Sequence, residues 1–153
     1  MGSWLGLDNK VIIVTGGSAG IGRSIVKYLI ENNAQVVNFD LKSANQLKQK
    51  NYYFYKVDVS KKTEIEQQVA HVFRKFGRID GLVNNAGIAL PGMLINPDNT
   101  GKYELTEELF DQTVSVNQKS VFLMSQAVAR KMVLQHSGCL LYTSPSPRDS
   151  TSS

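Results

Sequence analysis

The chain is poor in several residues that would each open a class of function. It has one cysteine, Cys139, so no disulfide forms within the chain, and a reducing, cytoplasmic setting is expected. A lone cysteine beside Leu140 reads as a packing residue, not a nucleophile. No apolar run is long enough to cross a bilayer, and the start, Met1 to Leu7, lacks the basic-then-apolar order of a leader. No Gly-Lys-Ser or Gly-Lys-Thr follows the glycine-rich segment, which disfavours a P-loop. The four prolines sit at 91, 97, 145 and 147, after the fourth predicted strand and near the end. No internal repeat is present, and no metal site is expected.

What remains is a chain of 153 residues, 42% hydrophobic and 20% charged, enough for one domain with a core. The net charge is +4, with lysines gathered at Lys42, Lys48, Lys50, Lys56, Lys61 and Lys62. Acids are interspersed among them, so they read as a solvated face with no nucleic-acid partner.

Chemistry concentrates in Thr15-Gly16-Gly17-Ser18-Ala19-Gly20-Ile21-Gly22. The run follows Val11-Ile12-Ile13-Val14, a β-branched strand buried on both faces, and precedes a helix expected over 23–31. Strand, glycine turn and helix set a diphosphate on a helix N-terminus. Gly16 permits the tight turn, Gly20 lets backbone approach phosphate, and Gly22 lets the helix pack closely. The next strand, 35–40, ends in Asp40, about 20 residues downstream, where a dinucleotide ribose needs an acceptor. A methyltransferase has the same two features and stays open on these alone.

Strands and helices alternate, predicting a parallel sheet covered by helices. A third strand is expected over 52–57 and a helix after Asp58-Val59-Ser60, capped by Ser60. Ile65, Val69, Val72, Phe73 and Phe76 form its apolar stripe, and Gly77 closes it. A short strand over 81–84 leads into a long loop. Thr106 then caps a helix running to about Gln135, with Leu109, Val116, Leu123, Ala127 and Met132 facing the core or a partner subunit. A fifth strand starts at 139–142. Residues 143–153 are Ser-, Thr- and Pro-rich and are expected to be disordered. Leu140 to Asp149 resembles translated sequencing-adapter read-through, so 143–153 is taken as a non-native tail on a domain of residues 1–142.

Four motifs in order resemble the short-chain dehydrogenase/reductase superfamily over about residues 6 to 141. They are the glycine run from Thr15 to Gly22, Asp58-Val59, Asn84-Asn85-Ala86-Gly87, and Asn117 within Ser115-Val116-Asn117-Gln118. Together they set the methyltransferase aside. The resemblance implies a Rossmann-type, doubly wound, three-layer α/β fold, truncated after strand five. It implies NAD binding by Thr15, Gly16, Ser18, Gly20, Ile21, Gly22, Asp40, Asp58, Val59, Asn85, Ala86 and Gly87. Asp40 would repel a 2′-phosphate, favouring NAD over NADP. Asn117 would be catalytic, on a locally distorted helix whose main chain holds a water of the proton relay.

Trp4-Leu5-Gly6-Leu7, the loop 94–101, Gly101 to Leu105 and Asn117-Gln118-Lys119 resemble one branch of that family, the sorbitol-6-phosphate 2-dehydrogenases. That branch implies a phosphorylated sugar alcohol as substrate and hydride transfer from its secondary alcohol to nicotinamide. A homo-oligomer is expected of the full-length protein.

The family also needs Ser, Tyr and Lys after strand five, the last two four apart on a helix. Tyr52 to Lys56 is the only Tyr-x-x-x-Lys, and it lies on a predicted strand. The chain as written is therefore expected to lack that triad and to be inactive. Two other readings stay open: a truncated unit that only binds dinucleotide, and an interaction protein using the helix over 106–135.

Overall fold

The computed structural model describes residues 6–43, 47, 49–98 and 101–136, and the backbone of 140–143. Among the described residues ten elements follow one another: β1 (Val11–Thr15), α1 (Gly20–Glu31), β2 (Gln35–Asp40), β3 (Tyr52–Lys56), α2 (Lys62–Phe76), β4 (Gly81–Asn84), α3 (Glu107–Val114), a π-helical turn (Ser115–Lys119), α4 (Ser120–Leu134) and β5 (Leu140–Thr143). The five strands make one sheet in the order β3-β2-β1-β4-β5, every neighbouring pair parallel. The chain steps outward from β1 to β3, then returns to the far side of β1 for β4. In such sheets the crevice at the strands' C-terminal ends, where the order reverses, is where ligands bind.

β1 explains the layering. Its residues are all buried, and they alternate between two cores. Ile12 and Val14 pack with Val26, Leu29 and Ile30 of α1. Val11 and Ile13 pack on the opposite face with Ile65, Val69 and Val72 of α2 and Leu123, Met124 and Val128 of α4. The result is the three-layer, doubly wound α/β arrangement.

The stripe on α2 shows which term prevails. β-Branched residues weaken a helix by roughly 0.5 kcal/mol each, but burying each contributes about 1.5–3 kcal/mol. Ile65, Val69 and Val72 are buried, Phe73 and Phe76 pack at the core's rim, and Gly77 closes the helix with φ of 73°.

Four expectations need correction. Helix α1 begins at Gly20, not Arg23, because the Arg23 N–H already donates to the Ala19 carbonyl at 3.1 Å. Ser60 does not cap α2; its backbone N–H and hydroxyl both donate to Asp58 Oδ1, and Lys61 stands at the cap position. The predicted helix over 106–135 is α3 and α4 joined by the π turn, and it stops at Leu134. Leu123, Ala127 and Met132 are buried as expected, but Leu109 in α3 and Val116 in the π turn are half-buried. The cap at Thr106 is present, its hydroxyl accepting from Leu109 N–H at 3.3 Å.

At the far end, β5 pairs with β4 as far as Thr143 opposite Asn84, so strand geometry runs one residue past the expected boundary. Of the predicted tail, residues 144–153 lie outside the described residues.

Candidate functional site

A cleft of about 950 Å³ opens at the C-terminal ends of the strands. Its walls are the glycine turn after β1, the end of β2 with Asp40 and Leu41, the segment Val57–Ser60 after β3, the segment Asn85–Ile88 after β4, and Asp111, Gln112, Ser115 and Val116. Of the residues singled out from sequence, Gly16, Gly20, Ile21, Asp40, Asp58, Val59, Asn85, Ala86 and Gly87 line it together. Thr15, Ser18, Gly22 and Asn117 do not; they hold those walls from behind.

The glycine turn is shaped by close approach. Gly16 has a φ of 67°, and a Cβ there would lie 2.9 Å from Ala86 Cα. A Cβ at Gly22 would run into the Gly16 carbonyl oxygen and the Asn85 side-chain amide. Gly20 meets nothing within 4 Å and opens to the cleft. Ile21 is 75% exposed on the cleft wall, an apolar side chain left without cover.

Thr15 joins β1 to β4. Its Oγ1 accepts from Asn85 N–H at 3.1 Å and Ala86 N–H at 3.0 Å. Asn85 Nδ2 donates to the Thr15 and Gly16 carbonyls at 3.1 and 3.0 Å. Asn84 is buried and donates to Ser125 Oγ at 3.2 Å, tying β4 to α4.

Asp40 reaches back over the turn, its Oδ2 accepting from Ser18 N–H at 3.0 Å and its Oδ1 from Leu41 N–H at 2.7 Å. Asp58 sits deeper. Burial works to raise its carboxyl, but the two Ser60 hydrogen bonds and nearby Lys61 outweigh that and hold it below the ordinary aspartate value. It is therefore an anion at neutral pH. Its backbone N–H donates to Glu64 Oε2 at 2.8 Å, which fixes the entry to α2.

Asn117 lies in the π turn, so the expected local distortion is present. Its side chain bonds at both ends: Oδ1 accepts from Ile88 N–H and Nδ2 donates to the Ile88 carbonyl, both at 2.8 Å. That pair fastens the segment after β4 to the helix.

Sequence reading missed Asn38, a buried amide at the back of the turn, and the α3 wall formed by Asp111 and Gln112. An asparagine inside an apolar parallel strand was the available signal for the first. Polar residues at helical spacing carry no such signal.

The cleft fits a dinucleotide in volume, and the donor set fits its parts: a helix N-terminus for diphosphate, and acids at the ends of β2 and β3 for ribose and adenine. Among the described residues there is no cluster of His, Cys, Asp or Glu suited to a metal, and no helix long and apolar enough to cross a membrane.

Comparison with known proteins supplies the rest. A family model described as short chain dehydrogenase matches residues 10–146. That match runs into the segment expected to be a non-native tail. The chain is 44% identical over 146 residues to sorbitol-6-phosphate 2-dehydrogenase of Klebsiella pneumoniae, covering 94% of this chain and 55% of that protein. It is 34% identical over 137 residues to NAD-dependent glycerol dehydrogenase of Listeria innocua, covering 86% and 51%. It thus spans about half the length of the curated relatives it matches. Among solved structures, a short chain dehydrogenase of Leptospira borgpetersenii with bound NAD+ superposes with a TM-score of 0.82 at 23% identity, over 96% of this chain and 55% of that one. Gox2181 superposes with a TM-score of 0.75 at 30% identity, over 88% and 52%.

Proposed function

We propose, from the premise that this chain belongs to the short chain dehydrogenase family, that its cleft is the dinucleotide half of an NAD-dependent oxidoreductase. The observation that carries this reading is the convergence of the glycine turn, Asp40, Asp58-Val59 and Asn85-Ala86-Gly87 on one cleft at the sheet's switch point. The N-terminal amides of α1 would face the diphosphate. Asp40 would accept from the adenosine ribose hydroxyls, and Asp58 from the adenine amino group. Asn85 to Gly87 would line the nicotinamide side. A bound nicotinamide dinucleotide supplies the hydride acceptor.

For the whole protein we propose oxidation of a secondary alcohol on a phosphorylated sugar alcohol, sorbitol 6-phosphate to fructose 6-phosphate, in the cytoplasm and as a homo-oligomer. The 44% identity to sorbitol-6-phosphate 2-dehydrogenase supports the substrate class. NAD over NADP is supported by the carboxylate of Asp40, which would repel a 2′-phosphate. Asn117 would act by fixing the Ile88 segment and the π turn that lines the site.

These 153 residues would bind dinucleotide without turning substrate over. The one Tyr-x-x-x-Lys, Tyr52 to Lys56, spans about 13 Å along a strand, not one helical turn. Tyr52 OH accepts from Asn38 Nδ2, so it is engaged behind the turn. The test titrates NAD and NADP separately and then assays sorbitol 6-phosphate oxidation. Saturable NAD binding without turnover is expected. Turnover would refute the missing Tyr and Lys, and absence of NAD binding would sink the dinucleotide reading.

A further inference from the structure

Asn38 occupies a position where β2 has no use for a polar side chain. Its neighbours Val36, Val37 and Phe39 are fully buried, and so is Asn38 itself. A buried amide destabilises a strand unless its polar atoms are paired. All of them are. Oδ1 accepts from Gly17 N–H at 2.8 Å, and Nδ2 donates to Ser18 Oγ and to Tyr52 OH, each at 2.9 Å. Ser18 Oγ donates onward to the Lys42 carbonyl, while Ser18 N–H holds Asp40 Oδ2. The fit is tight: a Cβ at Gly17 would lie 2.7 Å from Asn38 Oδ1. One side chain thus links the glycine turn, β2, β3 and the turn after Asp40.

We infer that Asn38, backed by Tyr52, is a positioning residue that selects between the two nicotinamide dinucleotides. It fixes Gly17 and Ser18, so the Ser18 amide holds the Asp40 carboxylate in one orientation toward the adenosine ribose. A carboxylate held in place repels a 2′-phosphate more effectively than one free to swing aside. The role rests on the dinucleotide-binding reading of the cleft, and adds a control on selectivity that neither the glycines nor Asp40 supplies alone.

The test uses the 153-residue chain as wild type, Asn38→Val and Tyr52→Phe. NAD+ and NADP+ are titrated by calorimetry, melting is recorded, and exchange of the Gly17 and Ser18 amides is followed without ligand. Asn38→Val is expected to speed Gly17 exchange, to weaken NAD+ binding about tenfold, and to lower the preference for NAD+ over NADP+. Tyr52→Phe removes one hydroxyl and leaves the fold, so it decides the matter if Asn38→Val does not fold; about a threefold fall in that preference is expected. A merely structural role would move melting and both affinities together and leave their ratio alone, and that result would overturn the inference. Wild-type binding of NAD+ with unchanged ratios in both variants would overturn it while sparing the dinucleotide reading. Failure of the wild type to bind either dinucleotide would overturn both.

Discussion

At the scale of the residue, the cleft depends on side chains that serve backbone. Thr15 is the sharpest case, since one hydroxyl oxygen accepts two amides of the segment after β4. Thr15→Val keeps the shape and removes the acceptor. About 2 kcal/mol of stability is expected to be lost, because two part-buried donors go unpaired. Denaturant unfolding checks this, and a loss within error would show that water replaces the hydroxyl. The motif residues themselves were legible from sequence, because glycine geometry and strand-end acids act through local chemistry. Asn38 was not. Its partners come from residues 17, 18 and 52, and only the folded sheet brings them together. Ser60 was misread for the opposite, local reason: Asp58, two positions earlier, accepts from both its N–H and its hydroxyl, and Lys61 takes the cap position.

At the scale of the element, the segment over 106–135 shows how a period can be right and a boundary wrong. Its apolar spacing fits one helix, yet the π turn inserts at Ser115–Lys119 and shifts the inward face. Nothing in that spacing marks the insertion; Asn117, a mediocre helix former, is the one local sign. Asn117→Ala removes both hydrogen bonds to Ile88. About 1 kcal/mol of local stability should go, with faster amide exchange at Ile88 and unchanged helical content by circular dichroism. Unaltered exchange at Ile88 would contradict the role given to Asn117.

The N-terminal edge of the sheet carries a second element-scale feature. Asp80, 6% exposed in its side chain, accepts from Arg78 Nε at 2.7 Å and from Val11 N–H at 2.9 Å, with Lys10 3.7 Å away. Burial pushes its carboxyl up, but Arg78, the Val11 amide and Lys10 outweigh burial and hold it below the ordinary aspartate value. A depressed carboxyl contributes its stability above the unfolded value, about pH 4, and loses it as pH falls from there toward the folded value. Asp80→Asn should therefore be less stable than wild type by about 2 kcal/mol at pH 7. The gap should narrow as pH falls below about 4. A gap that does not change with pH would mean that Asp80 acts through shape alone.

At the scale of the whole molecule, strand order does the positioning. β1 lies between β2 and β4, so the turns after β1 and β4 face each other across the switch point. The family and the parallel sheet could be read from four motifs because each one sits at a strand end, where the fold requires it. The α3 wall could not, because it closes the cleft only through the long connection after β4. The central claim is that this cleft holds a nicotinamide dinucleotide. The most direct test is an NAD+ titration of the 15N-labelled 153-residue chain, following backbone amide shifts. The account predicts saturable shifts centred on Gly16 to Gly22, Asp40, Asp58-Val59 and Asn85 to Gly87. No saturable change, or changes confined to the N-terminal edge around Asp80, would contradict it.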